Sequence, residues 1–143
     1  QGYKDGLAAV GIPLHEDLIE IGDYTTETAV ICARNLLSLP ERPTAIFAAN
    51  DMSAMGVYQA ASEFGLQIPR DLSVIGFDNL CEAAALNPPL TTIDQSVEDM
   101  GATATEMIAK LIKGESLPKN PDGGHLYKIP TRLVIRDSCA TIP

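Results

Sequence analysis

The chain has 143 residues, 45% of them hydrophobic and 20% charged, about one globular domain's worth with enough apolar material for a core. Nineteen acidic against ten basic residues leave a net charge of −9, which excludes a direct grip on a phosphate backbone, because that grip is driven by Lys and Arg. No apolar run approaches the ~20 residues of a membrane-spanning helix, and Cys32, Cys81 and Cys139, odd in number and without metal-ligand spacing, suit a reducing cytoplasm. Residues 1–10 read as a helix, with Tyr3, Leu7 and Val10 at helical spacing, and Gly11-Ile12-Pro13 ends it. Leu18 to Ile21 reads as a strand that exits through Gly22-Asp23-Tyr24. A helix over about 26–39 has Ala29, Cys32, Ala33, Leu36 and Leu37 as its buried stripe, and Pro40 and Pro43 terminate it.

Residues 44–78 form a complete strand–helix–strand unit. Thr44 to Ala49 is an apolar run that stops at Asn50-Asp51, and Asp51 is the natural N-cap for a helix in which Ala54, Val57, Tyr58, Ala61 and Phe64 recur. Gly65 stops that helix, Pro69 keeps it from resuming, and a second apolar strand, Leu72 to Phe77, ends at Asp78-Asn79. Strands that are apolar throughout and joined by a helix predict an α/β fold: a parallel sheet with helices on both faces. Further on, Cys81 to Leu86 reads as a helical turn, Asn87-Pro88-Pro89 as extended chain, and Leu90 to Asp94 as a short strand or crossing segment. Ser96 caps a helix over 97–113, with Asp99 as a capping-box variant and Gly114 as its stop. A Pro- and Gly-rich loop follows over 115–125, and Leu126 to Arg136 is a last strand that Pro130 confines to an edge or bulge.

In such sheets ligands lie outside the carboxyl ends of the strands, so Asn50 and Asp78 should sit near one another at a cleft. An Asn offers donor and acceptor, and an ionised Asp accepts from two hydroxyls, which suits a sugar-like or purine-like molecule. Tyr24, at a third strand exit, can stack on a ring and hydrogen-bond through its hydroxyl, or pack on the rim as an ordinary loop residue. Asp51 is a helix cap first and a ligand contact second, and Gln95 is a solvated residue after the crossing segment. Asp23, Asp51 and Asp78 could converge like a metal site. There is no G-x-S-x-G elbow, Walker loop, H-E-x-x-H or C-x-x-C, Ser53 has no neighbouring base, and His15 and His125 read as surface loop residues.

The segments AIFAANDMSAMG, DLSVIGFDN, NPPLTTIDQSVEDMG and PTRLVIRDSC, with QGYKDGLAAVGIP and IEIGDYT before them, resemble in order and spacing the C-terminal part of the LacI/GalR family of transcriptional regulators. The resemblance implies one lobe of a periplasmic-binding-protein-like two-lobe core and reads the chain as a fragment. Residues 1–88 and 126–143 would form the C-terminal lobe, with 89–125 a crossing segment and a helix of the other lobe. It implies that Asn50 and Asp78 contact the effector and that Gln95 lies close to the cleft, which with Tyr24 and Asp51 from the residue reading makes a ligand-binding set of Tyr24, Asn50, Asp51, Asp78 and Gln95, with hydroxyl recognition in place of a metal and no cofactor. The partners it implies are a sugar-like effector, a second copy in a homodimer through the surface around Met55, Gln59 and Cys81 to Leu86, and DNA only through a headpiece outside this chain. The activity implied is binding, not catalysis. Two other readings stand beside it, a lobe of a periplasmic sugar-binding protein and an α/β enzyme lobe. Without the other lobe, the apolar stripe of helix 97–113 is expected to dock on a second copy or to fold back onto its own lobe.

Overall fold

From the second helix onward helix and strand alternate in the computed structural model, which describes residues 1–117, 119 and 124–141. The helices are α1 (Gly2–Ala9), α2 (Thr26–Leu37), α3 (Asp51–Glu63), α4 (Cys81–Ala85) and α5 (Val97–Ile112). The strands are β1 (Ala45–Phe47), β2 (Ser73–Ile75), β3 (Thr92–Asp94) and β4 (Arg132–Val134). β1 and β2 pair in parallel with Ile46 opposite Val74, and β3 and β4 pair antiparallel with Ile93 opposite Leu133. Isolated parallel bridges, Ile75 to Thr91 and Asp78 to Asp94, join the two ladders. Alternate residues of β2 serve its two sides: Ser73 and Ile75 bond to Thr44 and Ala48, while Val74, Gly76 and Asp78 bond to Ser138, Thr91 and Ile93. The α/β class with a parallel sheet and helices is as the sequence predicts.

The apolar pattern explains the packing. Leu36, Leu37, Ile46, Val57, Leu72, Val74 and Leu90 are all buried in one cluster, and each such side chain contributes about 1.5–3 kcal/mol by leaving water. α2 and α3 meet backbone to backbone at Gly56, where a Cβ would lie 2.6 Å from the Thr26 carbonyl and 2.7 Å from the Ala29 Cβ. Arg34 of α2 also donates to both carboxylate oxygens of Glu63 on α3, at 2.7 and 2.8 Å. Helix stops follow the glycines: Gly11, Gly65 and Gly114 all take φ near +70°.

Several local expectations are corrected. The N-cap of α3 is Asn50, whose Oδ1 accepts from the Ser53 amide at 2.8 Å; Asp51 is already inside the helix. Ser96 occupies the N-cap position of α5, but its left-handed backbone leaves its hydroxyl without a cap bond, and its amide donates instead to Asp94 Oδ1 at 2.8 Å. Cys32 is only half-buried, because it faces a groove, and Val30 takes its place in the buried stripe of α2. Leu18 to Ile21 forms no strand: Glu16–Leu18 is a 3₁₀ turn, and the extended residues after it have no ladder partner. Leu90, Thr91 and Thr92, which the sequence reading placed in the crossing segment, are buried here, with Leu90 in the main apolar cluster. α5 does not fold back onto the lobe. None of its residues is buried, and Val97, Ile108, Leu111 and Ile112 are all more than half exposed.

Candidate functional site

The exits of β1, β2 and β3 lead to Asn50, Asp78 and Gln95, and hydrogen bonds hold these exits together. The Asp51 amide donates to the Phe77 carbonyl at 2.8 Å, and the Asp78 amide to the Ile93 carbonyl at 2.8 Å. Asn50 turns its Nδ2 to the Tyr24 carbonyl at 3.2 Å, which ties the loop after residue 22 to the head of α3. The Tyr24 ring itself is 67% exposed and free to stack. Gln95 Nε2 donates to Asp78 Oδ1 at 2.6 Å. Asn50 and Tyr24 thus make one pair and Asp78 and Gln95 another.

The electrostatics of Asp78 follow from its position. Partial burial pushes its carboxyl above the ordinary aspartate value, the nearby Asp51 charge pushes the same way, and the Gln95 bond offsets part of both. Asp23 behaves oppositely: hydrogen bonds from the Thr25 hydroxyl at 2.6 Å and amide at 3.1 Å hold its carboxyl low. Among the described residues no cluster of three or more His, Cys, Asp or Glu could hold a metal, so Asp23, Asp51 and Asp78 do not converge.

Asp51 lies beneath the site. It is fully buried, its Oδ2 accepts from the Leu80 amide at 2.8 Å, and its Oδ1 accepts from the Thr92 hydroxyl at 2.6 Å. A Cβ at Gly76 would fall on this carboxylate, so glycine there keeps its seat open. With both oxygens engaged and no exposed surface, Asp51 is a strut between α3, the 78–80 loop and β3, and not the ligand contact that the sequence reading included.

Backbone conformation marks the same region. Tyr24, Asp78, Asn79 and Ser96 are the described non-glycine residues with positive φ; Asp78, Asn79 and Ser96 follow the ends of β2 and β3, and Tyr24 lies in the loop before α2 whose carbonyl Asn50 holds. Such conformations cost of order 1–3 kcal/mol each and persist where the surroundings over-determine them, commonly at functional sites. Sequence reasoning missed what does the over-determining. Arg136 donates to the Leu90 carbonyl and to Asn79 Oδ1, both at 2.7 Å. Arg132 grips Asp94 Oδ2 through Nε at 2.9 Å and Nη2 at 2.7 Å. Ser138, fully buried, donates to the Val74 carbonyl at 2.6 Å and accepts from the Thr91 amide at 2.8 Å. The available signal was the spacing of Arg132 and Arg136, which an extended chain puts on one face.

These features define an α/β lobe with a polar, strained site at the carboxyl edge of a parallel sheet. The chain belongs to the periplasmic binding protein-like domain family, whose model matches residues 1–139. It is 35% identical over 138 residues to catabolite control protein A of Priestia megaterium, covering 96% of this chain and 40% of that protein. It is 36% identical over 142 residues to the HTH-type transcriptional repressor PurR of Vibrio vulnificus, covering 99% of this chain and 41% of that one. It superimposes on a structure titled transcriptional regulator CelR-cellobiose complex with a TM-score of 0.87, at 30% identity, covering 96% of this chain and 41% of that one. The relatives are LacI-family regulators, and the chain spans about two fifths of the length of these three. Among the described residues no helix is long and apolar enough to cross a membrane.

Proposed function

We propose that this chain is the effector-binding lobe of a transcription regulator, and that a small polar metabolite of the sugar class binds at the strand exits. The observation that carries the reading is the pairing of Asn50 with Tyr24 and of Asp78 with Gln95 at one sheet edge, with Tyr24 and Asp78 themselves on positive-φ backbone. Asp78 supplies the acceptor for ligand hydroxyls, Tyr24 a face for the ring, and Asn50 and Gln95 adjust the polar rim. The sugar class is supported by the relative solved with cellobiose. Asp51 is left out of the contact set, for it has no free oxygen.

In this reading the whole protein has a second lobe that closes on the ligand and a DNA-binding headpiece that this acidic lobe does not replace. α5, with its exposed apolar stripe, packs on the second lobe, and the crossing begins after Asp94. A ligand that prefers one arrangement of the lobes then biases the headpieces by that preference, whereas equal affinity for both arrangements switches nothing. A homodimer forms through the exposed residues near Met55, Gln59, Ala84 and Ala85. Leu86, first read as part of that surface, packs on the core and is set aside.

Calorimetry tests the reading. In the full polypeptide, a panel of mono- and disaccharides including cellobiose, with purine bases as the contrasting class, should yield a binder whose affinity falls about tenfold or more in Asp78→Asn, the equivalent of one lost charge-assisted bond. Asn50→Ser keeps an oxygen to cap α3 and removes the amide. Unchanged affinity in both variants would remove the site. The 143-residue chain alone should bind the same compound at millimolar strength or weaker, because a pocket normally buries ~70–90% of its ligand.

A further inference from the structure

We infer that Arg136 is a positioning residue of the effector site: acting through Asn79, it holds the turn that carries Asp78 so that the Asp78 carboxylate meets Gln95. The inference rests on the reading of Asp78 and Gln95 as one side of that site, and it adds a residue that acts on them and not on the ligand. Arg136 lies two residues beyond β4, and its guanidinium is committed to protein acceptors. Nη1 donates to the Leu90 carbonyl and Nη2 to Asn79 Oδ1, both at 2.7 Å. Its backbone is pinned as well. The Arg136 amide donates to Thr91 Oγ1 at 2.9 Å, and the same hydroxyl donates to the Arg136 carbonyl at 3.1 Å. Thr91 is buried, so the side chain that reaches Asn79 starts from a fixed base.

The turn needs such an anchor. Asp78 and Asn79 stand in succession at φ +120° and +62°, and strain of this kind persists only where the surroundings over-determine it. Three contacts do so, one per residue. The Asp78 amide donates to the Ile93 carbonyl at 2.8 Å, Asn79 Oδ1 accepts from Arg136, and the Leu80 amide donates to Asp51 Oδ2 at 2.8 Å. Arg136 supplies the middle one. A hydrogen bond from a charged donor is comparable in strength to the cost of one positive-φ residue, so losing it lets Asn79 relax. Asp78 Oδ1 accepts from Gln95 Nε2 at 2.6 Å, and hydrogen bonds weaken steeply once misaligned, so a small rotation of the turn breaks that pair. Arg132, four residues before Arg136 and on the same face of the extended chain, holds Asp94 beside Gln95. Its side chain is 75% exposed, however, and its ion pair is screened by water. Arg136 is half-buried and is therefore the stronger anchor.

Side-chain amide NMR of the full polypeptide tests this without any ligand. Asp78→Gly, which suits the positive φ and lacks the acceptor, gives the reference position of an unpaired Gln95 Nε2 group. Arg136→Gln should move the Gln95 resonances most of the way to that position, whereas Arg34→Gln, which breaks the ion pair between α2 and α3, should leave them in place. Asn79→Gly should displace them as Arg136→Gln does, and combining the two should cause no further movement, because both remove one bond. Asn79→Asp keeps an acceptor for Arg136 and should keep the parent signal. A merely structural role would lower the melting temperature while the folded molecules retain the parent Gln95 signal; that result, or additive displacements in the double variant, would overturn the inference. If Arg136→Gln does not fold, Asn79→Gly takes its place. With cellobiose as the probe, Arg136→Gln should weaken calorimetric affinity about tenfold or more, the equivalent of one lost charge-assisted bond, and Asn79→Asp should stay near the parent value. Unchanged affinity in Arg136→Gln, where the parent binds, also refutes the inference. If cellobiose does not bind the parent, the choice of sugar fails and the Gln95 resonances alone decide.

Discussion

Replacing Asp51 by Ala should destabilise the protein more than almost any other single change at the site. The carboxylate is 0% exposed and holds two donors, the Leu80 amide and the Thr92 hydroxyl. A hydrogen bond to a charged group is worth about 1.5–3 kcal/mol, so stranding both donors costs roughly 3–6 kcal/mol. Whole-domain stability is about 5–15 kcal/mol, so the loss is a large fraction of it. With a urea slope of about 1–3 kcal/mol per molar, the unfolding midpoint should fall by roughly 2 M. Asp51→Asn should lose about half as much, because its single oxygen can still take the Leu80 amide while its Nδ2 donates to Thr92 Oγ, exchanging charge-assisted bonds for neutral ones. Either change also removes the charge that helps to raise the Asp78 carboxyl, so Asp78 should titrate lower when followed by NMR. An Asp51→Ala protein within about 0.5 kcal/mol of its parent would refute the argument, since ordinary surface substitutions fall in that range.

Asp78 runs the other way. Its folded-state pKa is raised, so the folded protein holds this proton more tightly than the unfolded chain, and stability declines as pH rises through the interval above the ordinary aspartate value. Asp78→Asn should leave thermal stability at neutral pH equal or higher while weakening effector binding, and parent affinity should drop on acidification through that same interval; a less stable variant with unaltered affinity would contradict both. Gly56→Val, forced against the Thr26 carbonyl and Ala29, should cost about 1–3 kcal/mol in urea titrations by prising α2 from α3. Ala84→Glu together with Met55→Glu should shift sedimentation of the full protein from dimer toward monomer, and an unchanged profile would place the interface elsewhere.

The fold was legible where periodicity and punctuation agree. Ala29, Ala33, Leu36 and Leu37 mark α2, Val57 and Ala61 mark α3, and the glycines at 11, 65 and 114 sit at helix stops. Residues 18–21 were misread because strand pattern is a local property and a strand is a pairwise one: the apolar residues are there, and the neighbouring backbone is not. The Asn50-Asp51 pair shows a second limit. Either residue can cap a helix, and only the depth of Asp51 beneath Gly76 and its reach to Thr92, forty-one positions on, separate their roles. The clamps from Arg132, Arg136 and Ser138 are equally long-range, spanning 38 to 64 positions, and no local motif announces them. Resemblance compensates for some of this, because it brings the order of several strand exits into view at once.

The left-handed backbone at Asp78 and Asn79 restricts how this lobe can change what it binds. At φ +120° and +62° glycine is the residue at ease, asparagine, aspartate and histidine are the side chains that most often accept positive φ, and β-branched or bulky ones are outliers. Position 78 therefore has a short alphabet, and a mutational library spread evenly over twenty residues there would mostly return misfolded loops. New specificity is more accessible at Gln95, which touches Asp78 from outside that strained turn. Tyr24, itself left-handed at φ +69°, belongs with the restricted positions. Diversity in ligand choice among such lobes should accordingly concentrate next to the strained residues and not on them.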